Sequence, residues 1–138
     1  MEREYEIVLK RIESDVIGHM NTTGEDDLKI AGLKLIGSMF KGVFAADEMT
    51  VPRMLLDKQC CICNLSPRSS GGSHWIALAQ DKDDLLIYDS FGRVVADGDV
   101  LHTENDPEQS LLEMNCGQRC LAWLCIFQKF GRQAALHI

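Results

Sequence analysis

Three side chains of this sequence have the types and the spacing that cysteine-based nucleophilic catalysis requires. Cys116 is followed by Gly117 and by an apolar stretch of helical length, which predicts that its sulfur lies at the N-terminus of a helix. The free N–H groups and the positive end of the helix dipole stabilise an anion there and favour a thiolate. Gly117 has no side chain, so a substrate chain can approach the sulfur closely. Because a lone cysteine is more often a small buried core residue, the assignment depends on what lies upstream.

Two further polar residues, His74 and Asp89, flank a predicted β-hairpin. Apolar runs over residues 74–79 and 85–89 are joined by a short charged segment. Since hairpin strands are antiparallel, His74 and Asp89 should lie at the same end of the sheet and nearly opposite each other, within about one residue of register. A carboxylate beside a histidine orients the imidazole, which can then take the proton of a thiol. A structural hydrogen bond is the commoner role of such a pair, but its combination with Cys116 favours catalysis.

The elements that would hold these residues follow from hydrophobic periodicity. Residues 2–17 and 25–38 have apolar positions at helical spacing, and 59–64 is an apolar run of strand length. The stretch from Cys116 is apolar on nearly every side, which predicts a buried central helix that ends before Gly131. Irregular structure is predicted for residues 37–44, for a turn or 3₁₀ piece after Pro52, and for a polar surface connection over 93–108 with room for one short strand or helical turn.

Length and composition are typical of one globular domain. The chain has 138 residues, of which 46% are hydrophobic and 25% charged, so it can bury a substantial core. A net charge of −7 argues against non-specific binding to nucleic acid. No apolar run approaches the roughly 18 residues that span a bilayer, and the acidic, amphipathic start is unlike a secretory signal, so no membrane association is expected. The 6 cysteines then predict free thiols in a reducing, intracellular compartment.

The order of these residues resembles the adenain family, the adenovirus proteinases, and more distantly the proteases that process SUMO and other ubiquitin-like proteins. The matching residues are His74-Trp75, the run from Asp89 to Gly92, and Gln109 followed 7 residues later by Cys116-Gly117, with further similarity at Phe40–Phe44 and at 71–75. The similar part covers about residues 28–130. The whole chain, 1–138, is predicted to be a single protease domain, in which residues 1–24 look like an added N-terminal helical extension.

The resemblance implies a papain-like α+β fold, in which a small mixed or antiparallel sheet packs on a central helix that starts at the catalytic cysteine. It implies that Cys116 attacks a peptide or isopeptide carbonyl and that His74, oriented by Asp89, transfers the protons. Gln109 and the backbone N–H of Cys116 would hold the oxyanion. Substrates would carry a small residue, often Gly, beside the cut. The substrate channel would be lined by Gly72, Ser73, Trp75 and Gly117, with burial in the core as the commoner role of a tryptophan such as Trp75.

The sequence also departs from the family pattern. Adenain has Glu at the position of Asp89, although the SUMO proteases have Asp there. The 93–108 connection is shorter and contains no cysteine that could bond the family's disulfide-linked activating peptide. The acidic charge weakens the expectation of DNA activation. We therefore expect no cofactor, and an activating peptide or DNA is implied only by the resemblance.

Together these features predict a cysteine endopeptidase, viral or virus-like, that cleaves polypeptides such as capsid or core precursors. If viral, it would act in the nucleus or cytoplasm of the infected cell and in the virion. Two alternatives stay open, a deconjugase for ubiquitin-like proteins and a non-catalytic binding module that retains the fold. A zinc site formed by Cys60, Cys61 and Cys63 with His74 is disfavoured, because strand alternation points Cys60 and Cys61 to opposite faces.

Overall fold

The computed structural model describes residues 2–15, 24–45, 47–48, 50, 52–64, 74–90, 100–102 and 116–138. Within these ranges the helices are α1 (Glu2–Asp15), α2 (Glu25–Ile36), α3 (Cys116–Phe130) and α4 (Arg132–Leu136). The strands are β1 (Phe40–Phe44), β2 (Cys60–Asn64), β3 (Trp75–Asp81), β4 (Asp84–Tyr88) and β5 (Val100–His102). Short 3₁₀ turns occupy Gly37–Met39 and Pro52–Met54. No helix in these ranges is long and apolar enough to cross a bilayer.

The strands form one mixed sheet in the order β1-β2-β3-β4-β5. β3 is antiparallel to both β2 and β4, whereas β1 pairs with β2 and β5 pairs with β4 in parallel. Helices pack against one face of this sheet, so the α+β class expected from the sequence is confirmed at that level.

The central helix α3 passes through the main core. Its side chains are buried on nearly every side, as its apolar sequence predicted, and it contacts α1, α2, α4 and β3. α1 belongs to the same core, because Tyr5, Leu9 and Ile12 on its apolar face are buried. The opposite face of the sheet carries a smaller apolar cluster, formed by Leu55, Cys61, Cys63, Ile76, Leu78 and Ile87.

The predicted hairpin is confirmed as β3 and β4, joined through a turn at Lys82 and Asp83. Its pairing includes Ala77 with Tyr88, and continuing that register sets Asp89 opposite Ile76. His74 therefore lies two residues from the position opposite Asp89 rather than one. His74 and Asp89 are therefore diagonal neighbours on one face of the sheet. The offset is larger than expected because the turn is centred between Lys82 and Asp83 instead of on Lys82.

The sequence-based prediction of irregular chain at Phe40–Phe44 was wrong, since this segment is strand β1. Its register against β2 shifts between Phe40 and Val43, and Gly42 between them has φ +129°, which is the signature of a bulge. The bulge hides the two-residue alternation that identifies a strand. The 93–108 connection contains the short strand β5, and the 3₁₀ turn after Pro52 is confirmed.

Candidate active site

The open end of the hairpin brings His74 and Asp89 into direct contact. His74 precedes β3 and Asp89 follows β4, and Nε2 of His74 lies 2.7 Å from Oδ1 of Asp89. Both residues are buried, with exposed fractions of 6% and 4%. Because an ionised carboxylate only accepts hydrogen bonds, Nε2 carries the proton and the imidazole orientation is fixed. The predicted contact between these residues is present, although their register is one residue further from opposite than expected.

Cys116 completes this cluster from the helix side. It is the first residue of α3, is 8% exposed, and lies near enough for its thiol to help raise the pKa of His74. With Nε2 on Asp89, Nδ1 is the ring nitrogen through which His74 can exchange a proton with the sulfur. The structure thus brings Cys116, His74 and Asp89 together in the order that thiol activation requires.

The electrostatics of His74 favour its charged form. Burial alone lowers the pKa of His74, but the hydrogen bonds and charges of Asp89 and Cys116 outweigh burial and raise the pKa above its usual value. A cationic imidazole in turn stabilises a neighbouring thiolate. Asp89 and Cys116 therefore favour the protonated imidazole of His74.

The other thiols lie in different surroundings. Burial raises the pKa of Cys60 to about 12 and that of Cys125 to about 11, and it raises the pKa of Cys120 well above the usual range. The hydrogen bond to Cys63, followed by burial, raises the pKa of Cys61. These thiols remain protonated at neutral pH and are poor nucleophiles.

The cysteines of β2 are arranged as strand alternation predicted. The sulfurs of Cys61 and Cys63 lie 3.9 Å apart on one face, while Cys60 contacts Gln128 on the other. Among the described residues, no group of three or more His, Cys, Asp or Glu side chains is placed to hold a metal ion.

The predicted substrate-binding residues are only partly within the described chain. Trp75 starts β3 beside His74 and packs in the main core, and Gly117 is buried in the first turn of α3. Gln109, Gly72 and Ser73 lie outside the described residues, so their roles in the oxyanion hole and the channel stay predictions. The backbone N–H of Cys116 is one of the first N–H groups of a helix, which have no intrahelical acceptor.

Two buried polar residues at this end of the sheet were missed by the sequence analysis. Asn64 ends β2 and pairs with Trp75, and Ser90 follows Asp89; both are almost fully buried. The available signal for Asn64 was a polar residue at the end of an apolar strand whose neighbour starts directly after His74. That signal requires knowing that β2 and β3 are antiparallel partners.

The sequence matches no known protein-family model and no curated protein. The chemistry of the site is therefore the basis for inferring function. A thiol at a helix N-terminus with a histidine base nearby can attack a carbonyl carbon, form a thioester as the leaving group departs, and be regenerated when water hydrolyses the thioester.

Proposed function

We propose that this chain is a cysteine endopeptidase of the adenain type, with a papain-like arrangement of its sheet and central helix. The observation that carries the proposal is the contact of 2.7 Å between His74 Nε2 and Asp89 Oδ1, with a thiol at the start of α3 that helps raise the pKa of the same imidazole. A structural His–Asp pair needs no thiol at a helix N-terminus. A nucleophilic site needs all three.

The proposed reaction begins with attack of the Cys116 thiolate on the carbonyl carbon of the scissile bond. The oxyanion that forms accepts a hydrogen bond from the Cys116 N–H and, by family resemblance, one from Gln109. Collapse breaks the C–N bond, and the His74 imidazolium donates its proton to the leaving amine. Water, deprotonated by His74, then hydrolyses the thioester and returns the thiol, while Asp89 holds the imidazole throughout.

The substrates proposed are precursor proteins of a virus or virus-like element, cut after Gly or another small residue. Family resemblance supports this preference, together with the buried Gly117, which adds no side chain beside the sulfur. The reducing compartment that free thiols require fits the absence of any disulfide among the described cysteines.

Digestion of a peptide library tests the activity and the specificity together. We expect cleavage after small residues by the wild type and by Cys125→Ala, and none by Cys116→Ala. Cys125 is the matched control, because it is a half-buried thiol on the same helix with a pKa of about 11. Cleavage retained by Cys116→Ala would exclude the mechanism, and a preference for bulky residues before the cut would exclude the proposed specificity.

A peptide vinyl sulfone separates the enzyme from a non-catalytic binding module with the same fold. The probe should label Cys116 alone, as confirmed by peptide mapping of the adduct. Labelling that is spread over several cysteines, or absent in a folded protein, would favour the binding module. A ubiquitin-like protein carrying the same warhead tests the deconjugase alternative directly.

The isolated chain should be active without an added cofactor. Its net charge of −7 and the short 93–108 connection disfavour activation by DNA or by a disulfide-linked peptide. Turnover of one peptide is measured with and without duplex DNA, at low and at physiological salt. A large stimulation that salt removes would show binding through phosphate contacts and would overturn this expectation.

A further inference from the structure

A buried polar network connects α1 to both elements that carry the proposed catalytic residues. The hydroxyls of Tyr5 and Tyr88 lie 2.7 Å apart, and Nη1 of Arg119 donates to Tyr5 Oη over 3.2 Å. Tyr5 and Tyr88 are at most 1% exposed and Arg119 is 7% exposed. Polar groups that are buried this deeply cost free energy unless they are hydrogen-bonded, so the network constrains its members.

Two residues of this network lie close in sequence to the proposed catalytic residues. Tyr88 is the last residue of β4 and directly precedes Asp89, while Arg119 lies about one helical turn after Cys116 on α3. Tyr5 contacts both Tyr88 and Arg119. Its hydroxyl therefore joins the strand that leads into Asp89 to the helix that begins at the thiol.

Ring packing and charge restrict movement of the same network. The Tyr5 ring meets Tyr88 edge-on at 6.2 Å, and Tyr88 stacks on Trp123 at 5.4 Å. The guanidinium of Arg119 lies 6.0 Å from the centre of the Tyr5 ring and 3.8 Å from the Glu6 carboxylate. A guanidinium has only donors, so α1 supplies both an acceptor and a counter-charge for this buried cation.

We propose that Tyr5 is a positioning residue for the catalytic site, one that sets the distance between the Cys116 sulfur and the imidazole held by Asp89. The proposal rests on the proposed function, since it concerns the geometry of that reaction. Misplacement of reacting groups by about 1 Å can cost on the order of 10² in rate. A hydroxyl that spans the two elements is placed to prevent such a shift.

Tyr5→Phe is the first test, because it removes the hydroxyl and keeps the ring. We expect kcat to fall roughly tenfold while KM changes less than about twofold. The imidazole N–H signal of His74, observed by NMR of histidine-labelled protein, should move as well. Asp81→Asn is the matched control, since Asp81 is hydrogen-bonded at the turn end of the same hairpin, and this variant should keep both kcat and the His74 signal.

Arg119 provides a second pair of variants. Arg119→Met should lower kcat as Tyr5→Phe does, and the double variant should be little worse than either, because both break one connection. Arg119→Lys keeps a cationic donor and should restore most of the loss. If Tyr5→Phe does not fold, Tyr88→Phe removes the other hydroxyl of the same hydrogen bond.

The outcomes separate this inference from the proposed function. A wild type without turnover contradicts the proposed function, and the His74 signal then still decides whether Tyr5 positions the site. An active wild type with unchanged kcat and unchanged His74 signal in Tyr5→Phe overturns the positioning role. Equal loss from Arg119→Met and Arg119→Lys would also contradict it.

Discussion

Each end of the β3–β4 hairpin has a buried carboxylate in contact with a basic side chain, but the two carboxylates have different roles. At the turn end, Asp81 accepts a hydrogen bond from Lys58 and lies 2.6 Å from Nε of Arg132. At the open end, Asp89 contacts the titratable imidazole of His74, whose pKa is also raised by the Cys116 thiol. Both carboxylates lie at an end of the same hairpin, and they differ in the side chains that they contact.

The partners decide whether the carboxylate stabilises the fold or supports chemistry. The hydrogen bond from Lys58 and the charges of Lys58 and Arg132 lower the pKa of Asp81, so that this pair stays ionised at neutral pH. His74 can gain or lose a proton near neutral pH, which proton transfer requires. A permanent cation makes the turn end structural, whereas a proton-exchanging partner makes the open end suited to catalysis.

Replacement of the thiol or the imidazole should produce the largest effects. Cys116→Ala and His74→Ala should each lower turnover by roughly 10⁶-fold, and the double variant should be no slower, because members of one catalytic unit are not additive. Turnover of the chosen peptide and thermal unfolding are measured together. A double variant far slower than both single ones would show that the residues act independently.

Loss of the carboxylate at the open end should have a smaller effect. Asp89→Asn should lower kcat by about 10² to 10⁴, because the imidazole loses its orientation and its counter-charge. Without that charge, burial lowers the pKa of His74, so the alkaline limb of the pH–rate profile should move to lower pH. A limb that stays in place would mean that Asp89 does not raise the pKa of His74.

The raised pKa of His74 also makes the stability of the fold depend on pH in a defined direction. A protonated His74 stabilises the fold fully below the unfolded-state pKa of about 6.5, and this contribution is lost as pH rises through the higher folded-state pKa. Unfolding midpoints measured across this range should show the loss in the wild type. In Asp89→Asn the loss should be absent.

Replacement of the turn-end carboxylate should have the smallest effect on activity. Asp81→Asn should lower Tm by roughly 3–5 °C and leave kcat unchanged, because its partners are far from the site along the hairpin. Since the pKa of Asp81 is lowered, its stabilisation is present above about pH 3.9 and is lost as pH falls through the folded-state pKa. Reduced turnover in a fully folded Asp81→Asn would remove the contrast between the two ends.

Local sequence signals were sufficient to predict the elements that meet at the open end of the hairpin. The two apolar runs around a charged turn predicted β3 and β4, and the apolar stretch after Cys116 predicted α3. These elements place His74, Asp89 and Cys116 together. Each signal lies within a short segment, where periodicity and turn composition dominate.

The parts that sequence reasoning missed depend on contacts between distant segments. β1 is a strand because it pairs with β2 across a bulge, and Gly42 gave the appearance of a loop. Tyr5 reads as an ordinary core position of an amphipathic helix. Its contact with Tyr88, 83 residues away, appears only in the folded chain.

Alkylation of Cys116 tests most directly whether the open end is one catalytic unit. Its rate with iodoacetamide is measured at about pH 6.5, where an imidazolium partner matters most. The rate should fall at least about tenfold in His74→Ala, fall less in Asp89→Asn, and stay unchanged in Asp81→Asn and Cys125→Ala. Equal rates in the wild type and in a folded His74→Ala would contradict activation of the Cys116 thiol by His74.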